Sequence, residues 1–147
     1  PEIDANCIGA WGFSQGGGLT FATSALDHRV TAAVAQIPWL CNFPIAVDIT
    51  AAPYVELHDY LEEHPKERGA VLETLAYFDT LNLADAISCP TLMGVAMIDE
   101  GHPLQTNMPV WEKIPALKSI VVYPDLQHGY SADFSRHALA WFDRYLR

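Results

Sequence analysis

Four short apolar runs set the rhythm of this chain. Residues 6–12, 30–37, 91–98 and 118–123 each read as a buried strand, bounded by turn formers such as Pro38 and Pro90 or by the acidic pair Asp99-Glu100. Helical spacing fills the intervals. Residues 15–26 follow the first strand directly. Pro103 opens a helix of about ten residues. Ser131 caps a last helix whose Phe134, Ala138, Trp141, Phe142 and Tyr145 share one face, while Arg144 and Arg147 complement its C-terminal dipole. Between residues 39 and 88 the strand rhythm stops. Pro53 opens and Pro65 closes one helix there, with Val55, Leu57, Tyr60 and Leu61 apolar. Residues 68–77 form another, with Val71, Leu72, Leu75 and Phe78 at helical spacing. The pattern predicts an α/β fold: one domain over residues 1–147, with about four parallel strands, flanking helices and a helical cap-like insertion at 39–88.

Chemistry enters at the ends of the strands, where open parallel sheets place their sites. Gly12-Phe13-Ser14-Gln15-Gly16 matches G-x-S-x-G, and it stands where a strand turns into a helix. Such an elbow holds its serine in a strained conformation with the hydroxyl exposed. The flanking glycines are expected to remove Cβ atoms where strand and helix approach. The backbone N–H of Gln15, at the positive end of the new helix, can donate to an oxyanion. Asp99 follows the third strand and His128 the fourth, so Ser14, Asp99 and His128 occur in the chain order of the α/β-hydrolases. A serine hydroxyl needs a general base, and the imidazole needs a carboxylate to fix its tautomer. His102 is the rival base and Glu100 the rival acid; His28, His58, His64 and His137 read as solvated. Trp39, Leu40 and Phe43, just past the second strand, are the candidate substrate-pocket residues. Met93 and Met97 read as core, and Trp11 as sheet packing.

Composition narrows the partners. A net charge of −10 and a pI near 4.8 oppose nucleic acid and anionic membranes as partners. No apolar run approaches the length of about 18 to 20 residues that spans a bilayer. Cys7, Cys41 and Cys89 lack C-x-x-C spacing and read as small buried hydrophobes of a reducing compartment, which implies a cytoplasmic location. No H-E-x-x-H, phosphate loop or dinucleotide fingerprint occurs, so neither metal nor cofactor is expected.

Several stretches resemble the acetyl xylan esterase and cephalosporin C deacetylase family. They are Gly12-Phe13-Ser14-Gln15-Gly16-Gly17-Gly18-Leu19, Pro38-Trp39-Leu40-Cys41-Asn42-Phe43 and Tyr77-Phe78-Asp79-Thr80-Leu81-Asn82-Leu83-Ala84, together with Cys89-Pro90-Thr91-Leu92-Met93 running to Ile98-Asp99. The resemblance implies the C-terminal part of an α/β-hydrolase fold that removes acetyl groups from short acetylated carbohydrates or small esters through an acyl-enzyme. It places the family's serine, aspartate and histidine on Ser14, Asp99 and His128, and its first oxyanion donor on Gln15. Two places depart from the pattern: Phe13, where the family has a small residue, and Glu100-Gly101-His102-Pro103, after the acid. The elbow also resembles that of acyl thioesterases and general carboxylesterases. In the family, further strands and a second oxyanion donor precede the elbow. The expectations are therefore a missing N-terminal half or a homo-oligomer covering the first strand, or a non-catalytic fragment with half an oxyanion hole.

Overall fold

β2 (Val30–Gln36) and β3 (Thr91–Ala96) are mostly apolar and buried along nearly their whole length, and they are the two strands with a neighbour on either side. The computed structural model describes residues 4–146. β1 (Ile8–Phe13) pairs with β2 and β4 (Lys118–Tyr123) with β3, all parallel, in the order β1-β2-β3-β4. Alternation along the central strands sends side chains to two different helical layers. On one face, Ala33, Ala35, Met93 and Val95 pack with Phe21 and Ala25 of α1 (Gln15–Leu26) and with Val110 of α5 (Leu104–Lys113). On the other, Val34 and Leu92 pack with Phe134 and Ala138 of α6 (Ala132–Tyr145). Ser131 caps α6 as expected, its hydroxyl accepting from the Phe134 N–H at 3.2 Å. Arg147 lies outside the described residues.

The second and third strands end one and two residues earlier than expected, where the backbone must turn, while the first runs one residue further and the fourth ends where expected. Ile37 takes a φ of 45°, which terminates β2 and starts the excursion. Met97, expected in the core, lies beyond the end of β3 and is 52% exposed. At the β1 edge of the sheet, Trp11 is exposed although its ring centroid lies 6.2 Å from that of Phe142. None of the described helices is long and apolar enough to cross a membrane.

The excursion holds three helices: α2 (Phe43–Ile49), α3 (Val55–Glu63) and α4 (Arg68–Leu75). The sequence reading passed over α2, whose Pro44 in the first turn was the available signal. It also carried the apolar face of α4 too far. α4 stops at Leu75, so Phe78 falls outside it and is 62% exposed. What closes this layer is a small core of Phe43, Ala46, Val47 and Tyr54, with Leu57, Leu61 and Leu75 against it.

A buried carboxylate ties the layer to the sheet. Asp79 is almost fully buried and accepts from the backbone N–H groups of Asn42 and Phe43 at 2.8 Å and of Leu81 at 2.9 Å. It thereby satisfies the first turn of α2, which has no side-chain cap of its own. It also holds Asn42 at a φ of 54° in the left-handed region. Asn42 in turn reaches α5, where Pro109 inside the helix deprives the Gln105 carbonyl of its usual partner. The Asn42 side-chain amide donates to that carbonyl at 3.5 Å.

Asp79→Ala leaves three backbone donors in a dry environment without an acceptor. The expected cost is on the order of 3 to 5 kcal/mol, read as a fall in the urea midpoint. A parent-like midpoint would show that Asp79 does not hold the layer in place.

Candidate active site

The elbow is built by a close contact between a strand and the helix that leaves it. Ser14 joins β1 to α1 with φ 56° and ψ −118°, an uncommon conformation for a non-glycine residue. It is held there by its own backbone bonds: its N–H donates to Gln36 O at 2.9 Å, and its carbonyl accepts from the N–H groups of Gly17 and Trp39 at 2.9 Å and of Gly18 at 3.2 Å. A Cβ on Gly12 would lie 2.0 Å from the Gly16 carbonyl oxygen, so only glycine fits at that position. The expected clash at the second glycine of the motif is not found. A Cβ on Gly16 would meet nothing within 4 Å, because Gly16 presents its backbone, not its Cα hydrogens, to the strand. The demand has moved to Gly18, where a Cβ would lie 2.1 Å from the Trp39 carbonyl oxygen. That contact brings Trp39 beside the serine.

The three residues singled out by chain order meet at the carboxyl ends of their strands. Ser14 Oγ lies 3.0 Å from His128 Nε2, and His128 Nδ1 lies 2.7 Å from Asp99 Oδ2. The other carboxylate oxygen of Asp99 accepts from the backbone N–H groups of Gly101 and His102, both at 2.9 Å. Burial pushes the Asp99 carboxyl up, but its contacts with the His102 and His128 rings and with the His102 N–H outweigh this and hold it at about 2. The Gln15 N–H opens α1 and has no acceptor within the helix, which leaves it free to donate towards a group on Ser14.

A cavity of about 560 Å³ opens over this array, lined among others by Ser14, Gln15, Trp39, Pro53, His102 and His128. Trp39 is fixed there by a 2.7 Å hydrogen bond from its indole N–H to the Tyr54 hydroxyl. Leu40 and Phe43 do not line this cavity, a correction to the sequence reading. Phe43 opens α2 and turns its ring inward, edge-on to Tyr54 at 5.9 Å, and Leu40 packs with the same core. Both line a neighbouring apolar groove of about 600 Å³, which also takes in Gln15, Trp39 and Pro53. Glu100 is exposed, whereas Asp99 beside it is buried.

His102, the rival base, makes no hydrogen bond to Ser14. Its ring stacks on that of His128, with centroids 4.3 Å apart and planes 25° apart, and its Nδ1 lies 3.4 Å from Asp99 Oδ1. The ligand atoms of Asp99, His102 and His128 fall within 4.8 Å of one another, a spacing that a metal ion could bridge. Yet Asp99 and His128 are already joined by a direct hydrogen bond. Sequence reasoning missed the stacking, since nothing in the spacing of Asp99, His102 and His128 says that two imidazoles will meet face to face. Of the other histidines, His58 is not a solvated loop residue: it sits on α3, with Nε2 2.8 Å from the Val47 carbonyl oxygen. Cys41 is no nucleophile here, because burial pushes its thiol up to about 12.

Parallel strands carrying a serine elbow, then an acid, then a histidine at their carboxyl ends define the α/β-hydrolase class. The family model described as acetyl xylan esterase (AXE1) matches residues 1–145, and the chain belongs to that family. Among solved structures, the acetyl xylan esterase from Paenibacillus sp. R4 is 34% identical with a TM-score of 0.93 over 99% of this chain and 47% of its own. Acetyl xylan esterase 1 from Thermoanaerobacterium sp. JW/SL YS485 is also 34% identical, with a TM-score of 0.89 over 97% of this chain and 46% of its own. The acetyl esterase Axe7A of Xylanibacter ruminicola is 29% identical over all of this chain and 33% of its own length. The chain thus spans a third of that curated relative and just under half of each esterase structure. An acylaminoacyl peptidase at 17% identity and a TM-score of 0.80 shares the fold.

Two outcomes follow from the geometry. Gly12→Ala forces the elbow open, with an expected loss on the order of 2 to 4 kcal/mol by chemical denaturation; a stability within 0.5 kcal/mol of the parent would refute the close approach. Asp99 has a folded pKa below its ordinary 3.8, so it contributes stability above that pH which is lost as pH falls through about 2. The contribution is about 2 kcal/mol. Asp99→Asn is therefore expected to be less stable than the parent at pH 7, with the gap narrowing towards pH 2. A gap independent of pH would contradict the assignment.

Proposed function

We propose that this chain carries the catalytic centre of a serine carboxylic-ester hydrolase, which removes acetyl groups from short acetylated carbohydrates or small esters through an acyl-enzyme. The observation that carries the reading is the unbroken line of hydrogen bonds from Ser14 through His128 to Asp99. Ser14 Oγ attacks the ester carbonyl while its proton passes to His128 Nε2. Asp99 accepts the Nδ1–H and stabilises the imidazolium. The Gln15 N–H donates to the developing oxyanion. His128 then protonates the leaving alcohol, and a water deprotonated by the same nitrogen releases acetate from Ser14.

Trp39 borders the space where the acyl group would sit. A second reading, a general carboxylesterase or acyl thioesterase, draws support from the apolar groove that adjoins the triad cavity at Gln15, Trp39 and Pro53. Comparing acetyl with octanoyl esters separates the two. The uncovered edge of β1, with Trp11 exposed, supports pairing with a further strand. A second copy, or a further segment of the intact protein, would supply it, together with a second oxyanion donor. Without that donor the chain would behave as a fragment, about 10² to 10³ lower in kcat. Free thiols at Cys7, Cys41 and Cys89 support a reducing, cytoplasmic setting.

The test is made on the intact protein with an acetyl ester. Ser14→Ala is expected to lower kcat by about 10⁶, and a fluorophosphonate adduct should map to Ser14 by mass spectrometry. An adduct on another residue, or unchanged turnover by Ser14→Ala, would refute the reading.

A further inference from the structure

We propose that His102 is a positioning residue for the base, its ring serving as a fixed wall against which the His128 imidazole is held. The inference rests on the esterase reading above. His128 comes from the loop between β4 and α6, and its side chain is 36% exposed. Its two hydrogen bonds, to Asp99 at 2.7 Å and to Ser14 at 3.0 Å, leave from opposite sides of one ring. They fix a line through the imidazole, and the ring can still rock about that line. What stops rocking has to touch the ring itself.

Two rings do so. His102 stacks on His128 at 4.3 Å, and Phe13 of the elbow lies at 5.1 Å with its plane tilted by 35°. They occupy the two places where the sequence departs from the family pattern, and the fold brings both to the same imidazole. His102 is a firm wall. It is 7% exposed, its N–H donates to Asp99 Oδ1 at 2.9 Å, and its carbonyl accepts from the Asn107 amide at 3.2 Å. Trp39 stands edge-on to it at 6.3 Å, itself tied to Tyr54.

Folding alone does not explain a histidine here. Its Nε2 is buried without a hydrogen-bond partner, and its Nδ1 has only the 3.4 Å contact with Asp99 Oδ1, so a phenyl side chain of similar size would avoid burying an unpaired nitrogen. The benefit falls in the reaction. When the Ser14 proton reaches His128 Nε2, the imidazolium stays stacked on the His102 ring and bonded to Asp99, in a site partly closed to water. The same face keeps Nε2 directed at Ser14 Oγ while the Oγ–carbon bond forms.

The experiment compares His102→Ala and His102→Phe with the parent in the intact protein. Steady-state kinetics on 4-nitrophenyl acetate are read beside the downfield proton resonance of the Asp99–His128 hydrogen bond and the thermal midpoint. His102→Ala is expected to lower kcat by about 10- to 100-fold with KM little changed, and to broaden the resonance. His102→Phe restores a stacking face and should recover most of both. A parent-like kcat and resonance in His102→Ala would overturn the proposal. So would an equal loss in the two variants when both are folded. The resonance reports the placement of His128 whether or not the protein turns over ester. Failure of the esterase reading would instead show as equal turnover by the parent and Ser14→Ala.

Discussion

A carboxylate taken out of water at the end of a strand stays ionised only if the protein supplies enough donors around it. Asp99 has them: two backbone N–H groups on one oxygen and the His128 imidazole on the other. Those bonds do more than settle a charge. The N–H groups come from the turn that follows β3, so they fix the course of the chain into α5. The imidazole bond fixes which nitrogen of His128 faces Ser14. One buried acid therefore orders both the loop that carries His102 and the line along which a proton would travel.

The elbow imposes the complementary constraint. Ser14 can hold its uncommon backbone angles because its N–H is bonded to Gln36 at the end of β2 and its carbonyl to Trp39 and to the first turn of α1. The approach of β1 to α1 leaves no room for a Cβ at Gly12, and the Trp39 carbonyl leaves none at Gly18. The strain at the serine is thus repaid by packing, and the same packing delivers an aromatic residue from the end of β2 to the rim of the cavity.

Asp79 does for the helical excursion what Asp99 does for the site. It gathers three backbone donors from two segments nearly forty positions apart and lets a left-handed turn lead into α2. Rigidity in this layer matters to the site because Trp39 and Pro53, which line the cavity, lie on either side of α2. Exposed aromatic residues such as Tyr77 and Phe78 lie on the groove beside it.

Periodicity and punctuation in the sequence were enough for the four strands, the helix after the elbow, the cap on α6 and the choice of Ser14, Asp99 and His128 as the residues that would meet at the strand ends. These depend on local preference and on burial, both of which act over a few neighbours. The order of Ser14, Asp99 and His128 along the chain could be read because parallel crossovers return every strand end to the same edge. What could not be read were contacts whose energy comes from distant partners. α2 rests on Asp79. Pro109 frees a carbonyl in α5, and the Asn42 amide is brought to it from the far side of the excursion. Phe43 turned inward because Tyr54 gave its ring an edge to pack on. The stacking of His102 on His128 belongs to this second group. Only the tertiary structure could decide it, since a face-to-face contact between two rings depends on the relative pose of two loops, and no spacing in the sequence records that.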